Sequence, residues 1–101
     1  MSVTDKVRIP DKELAEICRR YYVRELSLFG SVLRADFRDD SDIDVLVEFE
    51  PGAPIDLLMY VRLGRELSEL LGRHVDLVEK PGLKPFLKDE VLDTARIIYA
   101  A

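Results

Sequence analysis

The stretch from Leu26 to Glu48, LSLFGSVLRADFRDDSDIDVLVE, decides how the rest of the chain is organised. A short apolar run ends at Gly30 and Ser31, and a short segment of helical pattern and a charged loop follow. A second apolar run then opens with two carboxylates, Asp42 and Asp44, the first of them separated from Ser31 by ten residues. This order predicts two neighbouring strands, with an anion-binding turn after the first and an acidic pair at the start of the second.

The acidic pair has the spacing of side chains on one face of a strand. Side chains alternate between the two faces, so Asp42 and Asp44 project to one side, whereas Ile43, Val45 and Val47 project to the other. Two neighbouring carboxylates repel each other unless a cation neutralises them, and Mg²⁺ prefers oxygen ligands of this kind. The alternative is a solvated acidic turn, because Asp is common in turns. A turn does not account for carboxylates that continue into the apolar run at alternate positions.

Gly30 and Ser31 stand where a strand would give way to a helix. Gly30 has no Cβ, so the backbone can turn sharply and a ligand can come close. Ser31 can cap a helix over Val32 to Phe37 or hydrogen-bond a phosphate, and the helix dipole favours an anion there. Arg34, about one helical turn further on, either reaches the same anion or is an ordinary surface residue. An ordinary strand-to-helix turn is the alternative for the Gly-Ser pair.

Composition limits the class of protein. A length of 101 residues suits one domain, within which residues 1–10 are expected to form a loose arm. Apolar residues make up 48% and charged residues 35% of the chain, which predicts a soluble folded protein without a membrane span. A net charge of −5 argues against direct binding to nucleic acid. The one cysteine, Cys18, allows no internal disulfide and fits the cytoplasm.

Hydrophobic periodicity predicts that helices and strands alternate along the chain. We expect helices over Asp11–Tyr22, Val32–Phe37, Ile55–Leu71 and Lys84–Thr94, and strands over Glu25–Phe29, Asp42–Phe49, His74–Glu79 and Arg96–Tyr99. Gly72 supplies the end of the longest helix. The alternation indicates an α+β (α/β) fold in which helices cover one face of a sheet.

The pattern Gly-Ser, ten residues, Asp-x-Asp resembles the signature of the nucleotidyltransferase superfamily that includes DNA polymerase β. The segment GSVLRADFRDDSDIDVLV is similar to the sequences of minimal nucleotidyltransferase (MNT) domains in particular, and the similarity runs from about Glu25 to Tyr99. The resemblance implies a palm-like mixed sheet and a third carboxylate on a neighbouring strand. The matching residue is Asp76, for which an acid at a strand edge facing water is the alternative.

The resemblance also implies a reaction and a site. The implied enzyme uses Mg²⁺, as two ions, and transfers AMP from ATP. The implied catalytic and metal-binding residues are Asp42, Asp44 and Asp76. The nucleotide-binding residues are predicted to be Gly30 and Ser31, together with Arg34 from its position one helical turn further on.

The resemblance implies a partner as well, because MNT proteins are typically antitoxins paired with a HEPN-domain ribonuclease toxin. A tyrosine of that toxin is the implied acceptor of AMP, and the chain could assemble as a homo-oligomer or a hetero-oligomer. The alternative function is a binding module that neutralises its partner by complex formation without catalysis. A calcium-binding loop is a poor explanation of the acidic residues, because the turn glycine and the distal glutamate of that motif are missing.

Overall fold

A computed structural model of the protein describes residues 9–30, 42–79 and 95–101. The elements in these ranges are α1 (Asp11–Arg20), β1 (Val23–Phe29), β2 (Ile43–Phe49), α2 (Leu57–Leu71), β3 (Val75–Glu79) and β4 (Arg96–Ala100). The helices predicted over Val32–Phe37 and Lys84–Thr94 lie outside the described residues, as do Ser31 and Arg34. In the described ranges, no helix is both long and apolar enough to cross a membrane.

The strands form a mixed sheet in the order β3-β2-β1-β4. Strand β1 runs antiparallel to β2 and to β4, whereas β2 and β3 are parallel because α2 carries the chain back between them. Buried side chains of both described helices join one apolar core with alternate residues of the strands: Leu14, Ile17, Cys18, Leu63, Leu67 and Leu71 from the helices, and Leu26, Leu28, Ile43, Val45, Val47 and Val75 from the strands. The predicted mixed sheet with helices on one face is therefore confirmed.

The first helix and strand depart from their predicted bounds. Helix α1 ends at Arg20 rather than Tyr22, because Tyr22 adopts a left-handed conformation with φ +58° that no helix can continue through. Strand β1 then begins at Val23, two residues before the predicted start. Val23 pairs with Phe49 of β2, and a β-bulge follows between Val23 and Glu25. Ile9 is fully buried in the core, so the expected loose arm does not extend through this residue.

Helix α2 has a defined residue at each end. Asp56 lies immediately before the helix, and its side chain accepts a hydrogen bond from the backbone N–H of Met59 at 2.8 Å. The predicted start at Ile55 is therefore two residues early. Gly72 ends the helix with φ +72°, as predicted.

Hydrogen bonds to one glutamate join the two helices near the start of β1, at the end away from Gly30. The Tyr21 hydroxyl donates a hydrogen bond to Oε2 of Glu66, and a guanidinium nitrogen of Arg20 donates to Oε1 at 2.9 Å. The bond to Glu66 raises the pKa of Tyr21, so this hydroxyl stays protonated at neutral pH. These bonds link α1 to α2 away from the acidic residues.

Candidate active site

Gly30 and Asp44 form the tightest contact at the predicted site. Gly30 follows β1 with φ +73°, a conformation that favours glycine. A Cβ built onto Gly30 would lie 3.2 Å from Cγ of Asp44 and would clash with its Oδ2. The Asp44 carboxylate therefore occupies space that exists only because residue 30 has no side chain.

Asp44 and Asp76 lie side by side in the sheet. They are register partners in the parallel pair of β2 and β3, and strands in such a pair run about 4.7–4.9 Å apart. Ile43, Val45 and Val75 belong to the core on the helix side, so alternation directs both carboxylates to the opposite side. Asp44 is half-buried and Asp76 is exposed. The structure thus brings together the two acids that were predicted on separate strands.

Asp42 lies just before β2, on an exposed position two residues before Asp44. The next residue begins the sheet, because the N–H of Ile43 donates to the carbonyl of His74 at 2.9 Å. Ser31 and Arg34, the other predicted site residues, are not among the described ones.

The acidic residues suit a hard divalent cation. Within the described ranges, no three side chains of the His, Cys, Asp or Glu types are gathered closely enough to hold a metal as they stand. The donors are nevertheless carboxylate oxygens, two of them on neighbouring strands, and the space over Gly30 is already filled by one. This donor set fits Mg²⁺, which usually takes one or two carboxylates and completes its shell with water and phosphate oxygens.

Two hydroxyl groups of α2 hold strand β3 on the side away from β2. Ser68 Oγ accepts a hydrogen bond from the backbone N–H of Val75 at 2.9 Å and donates one to the carbonyl of Gly64 at 2.8 Å. The Tyr60 hydroxyl donates to the carbonyl of Leu77 at 2.6 Å. Neither residue was predicted as part of the site, although Tyr60, Gly64 and Ser68 follow one another at the four-residue spacing of a helix face.

A cavity of about 440 Å³ lies between α2 and β3. Its wall includes the hydroxyl-bearing residues, an arginine, the single histidine and the third acid: Tyr60, Ser68, Arg65, His74 and Asp76. Burial raises the pKa of Tyr60, and the nearby carboxylates of Glu79 and Asp76 raise it further. Tyr60 is therefore a neutral phenol that can donate a hydrogen bond at any physiological pH.

Known proteins match this chain in both sequence and fold. The family model for the nucleotidyltransferase domain matches residues 11–98. The protein adenylyltransferase MntA of Thermococcus cleftensis is 46% identical over 81 residues, which are 80% of this chain and 77% of the relative. A solved structure described as a candidate minimal nucleotidyltransferase is 41% identical, with a TM-score of 0.69 and coverage of 84% of this chain and 85% of that one.

A more distant structure has the same fold. It is a tri-AMPylated Shewanella oneidensis HEPN toxin in complex with an MNT antitoxin, which aligns with a TM-score of 0.62 at 20% identity over 90% of this chain and 70% of that one. An identity this low supports the fold alone. The family model and the more similar relatives confirm the resemblance to minimal nucleotidyltransferases. The chain therefore belongs to the nucleotidyltransferase domain family and is a nucleotidyltransferase.

Proposed function

We propose that this protein is the antitoxin of a cytoplasmic toxin–antitoxin pair and acts by Mg²⁺-dependent transfer of AMP from ATP to a partner. The acceptor is a tyrosine hydroxyl of a HEPN ribonuclease toxin. The name of the relative from Thermococcus cleftensis supports this reaction. The Shewanella oneidensis complex, which shares only the fold, illustrates the kind of partner that such a fold binds. The observation that carries the proposal is the placement of Asp44 between the Gly30 turn and Asp76.

Each described residue of the site has a part in the transfer. The left-handed conformation of Gly30 turns the backbone at the end of β1, where the phosphates of ATP bind beside the Asp44 carboxylate that fills the space over Gly30. Asp42, Asp44 and Asp76 would hold Mg²⁺, which supplies neutralisation of the phosphate charge when it is bound. Because Asp76 is exposed, its carboxylate is open to an incoming hydroxyl and accepts the proton of that hydroxyl. The acceptor oxygen forms a bond to the α-phosphorus, the bond to the β-phosphate oxygen breaks, and pyrophosphate leaves.

A labelling experiment tests the reaction. The protein is incubated with Mg²⁺, ATP labelled on the α-phosphate and the HEPN-type partner, and label on the partner is measured. We expect transfer by the wild type, none by the Asp42→Ala/Asp44→Ala double variant, and wild-type transfer by Glu48→Gln, which removes a carboxylate further along β2. Equal labelling by the wild type and the double variant would contradict the proposal.

A second candidate function is neutralisation by binding alone. Three large apolar side chains near the start of α2 are exposed: Leu57 at 79%, Leu58 at 58% and Val61 at 52%. Exposed apolar groups that lie together are typical of protein interaction surfaces. A partner bound there could be inhibited without any chemistry at the acidic residues.

A neutralisation assay separates the two candidates. Cells that express the toxin receive the wild type, the Asp42→Ala/Asp44→Ala variant or a Leu57→Ser/Val61→Ser variant, and growth is scored together with co-purification of the toxin. Lost protection by the acidic variant with intact binding favours catalysis. Retained protection by that variant, together with lost protection by the α2 variant, favours binding alone.

A further inference from the structure

Asp76 lies between two hydrogen bonds that α2 makes to the backbone of β3. The residue before it, Val75, donates its N–H to Ser68 Oγ, and the residue after it, Leu77, accepts the Tyr60 hydroxyl at its carbonyl. Residues of the same parity in a strand direct their backbone groups to the same edge. Both bonds therefore leave β3 on the side away from β2, whereas the carbonyl of His74 accepts from Ile43 on the β2 side.

We propose that Tyr60 and Ser68 are positioning residues, which hold the backbone on either side of Asp76 and so keep its carboxylate level with that of Asp44. This inference rests on the proposed function, because it assigns a purpose to the position of Asp76 in the transfer reaction. Neither hydroxyl is proposed to touch the substrate.

The hydroxyl of Tyr60 can be tested apart from its ring. The ring lies against Phe49, with centroids 6.4 Å apart and planes inclined by 58°, so packing holds it whether or not the hydroxyl is present. A Tyr60→Phe substitution therefore deletes one hydrogen bond to β3 and leaves the core contact in place.

The position of β3 explains why such a bond would matter. Within the described residues, β3 pairs with β2 alone and stands at one edge of the sheet, so its outer backbone groups depend on α2. Displacement of a reacting group by about 1 Å can slow a reaction by roughly 10²-fold. Loss of the hydrogen bonds from Tyr60 and Ser68 to β3 should therefore reduce the rate of transfer more than the binding of ATP, since the phosphates lie at the Gly30 turn.

The test compares Tyr60→Phe and Ser68→Ala with Tyr21→Phe, the matched control. Tyr21→Phe also deletes a hydroxyl that bonds to α2, but this hydroxyl lies at the start of β1, away from Gly30 and the acidic residues. The kcat, the KM for ATP and the Mg²⁺ concentration for half-maximal transfer are measured. Amide hydrogen exchange at Asp76 is followed by NMR in the free protein. Ser68→Thr keeps a hydroxyl at the same position and serves as the rescue.

We expect Tyr60→Phe and Ser68→Ala to lower kcat about tenfold, to raise the Mg²⁺ requirement and to leave the KM for ATP nearly unchanged. The Asp76 amide should exchange faster in both variants, because β3 opens locally. Tyr21→Phe should lower the melting temperature about as much as Tyr60→Phe does, but should leave kcat, the Mg²⁺ requirement and the exchange of the Asp76 amide unchanged. Ser68→Thr should have the kcat of the wild type.

Wild-type kcat in Tyr60→Phe, or an equal loss of kcat in Tyr21→Phe, would overturn the inference. Failure of the proposed function gives a different result, namely no transfer by the wild type with any partner. In that case hydrogen exchange tests whether Tyr60 positions the backbone around Asp76. Faster exchange of the Asp76 amide in Tyr60→Phe but not in Tyr21→Phe upholds this role, and equal exchange in the two variants overturns it.

Discussion

The two faces of strand β2 differ in what they require of their side chains. On the helix side, Ile43, Val45 and Val47 are fully buried in the apolar core. On the other side, Asp44 lies against Gly30 and beside Asp76, in a position that burial of apolar surface cannot explain. At the start of β2, alternate residues thus serve stability and chemistry separately, whereas Leu46, further along the side of Asp44, is buried as well. A substitution on one face should change one property and spare the other.

The largest effect should come from the acidic face. Asp44→Asn keeps the shape of the side chain and removes its charge, so we expect transfer of AMP to fall by roughly 10²-fold or more. The free energy of unfolding should change by no more than about 1 kcal/mol, because the helix side is untouched. Labelled transfer and urea denaturation measure the two quantities. The comparison between the faces fails if Asp44→Asn retains wild-type transfer while the matched control, Glu48→Gln, loses it.

The next effect should come from the helix that covers the apolar face. Leu63 of α2 is fully buried, and Leu63→Ala should lower the free energy of unfolding by about 2–5 kcal/mol through lost burial and a cavity. Transfer per folded molecule should stay at the wild-type value when it is measured well below the melting transition. Leu57→Ala, at a residue that is 79% exposed on the same helix, is the control and should leave urea stability almost unchanged. A large fall in transfer per folded molecule in Leu63→Ala would show that the two faces are not independent.

A pair of glycine substitutions sharpens the comparison further. Gly30 and Gly52 have φ values of +73° and +76°, so an alanine at either position should cost about 1 kcal/mol in backbone strain. Only at Gly30 would the new Cβ meet a side chain, since nothing lies within 4 Å of a Cβ at Gly52. We expect Gly30→Ala alone to lower transfer, by about tenfold, because the Asp44 carboxylate must move. Equal transfer by the two variants would show that Gly30 has no part in the transfer of AMP.

The smallest effect concerns Cys18 in the apolar core and is a pH dependence. Burial raises the pKa of its thiol from 9.0 to about 12. The folded chain therefore holds this proton more tightly than the unfolded chain, and the resulting stability is complete below pH 9 and is lost as the pH rises towards 12. Between pH values of about 8 and 10, the wild type should lose about 1 kcal/mol more unfolding free energy than Cys18→Ala. Urea denaturation at both pH values measures this difference, and parallel losses in the two proteins would contradict it.

Local patterns were sufficient for much of the fold. Alternation along β2 predicted the burial of Ile43, Val45 and Val47 but not that of Leu46, and Gly72 marked the end of α2 correctly. These features depend on the chain within a few residues of each position. The end of α1, which was predicted wrongly, depends on the left-handed conformation of Tyr22, and a tyrosine gives no indication of that conformation.

The site required information that local patterns do not contain. Only the family resemblance predicted that Asp76 belongs with Asp44, because strand order and register arise from tertiary pairing. The sequence places Tyr60 and Ser68 on one helix face but does not indicate the partner of the Tyr60 hydroxyl, because this partner is the carbonyl of Leu77, a group that every residue carries. The burial of Ile9 was equally hidden, because it lies in a mostly polar segment.

The parallel crossover from β2 through α2 to β3 has a consequence for how the protein acquires activity. Asp44 and Asp76 come from strands that cannot pair until the helix between them has docked. The electrostatic cost of placing two negative groups together therefore arises only when β3 pairs with β2. A nascent or partly opened chain has no acidic pair, so enzymatic competence begins only with completion of this unit.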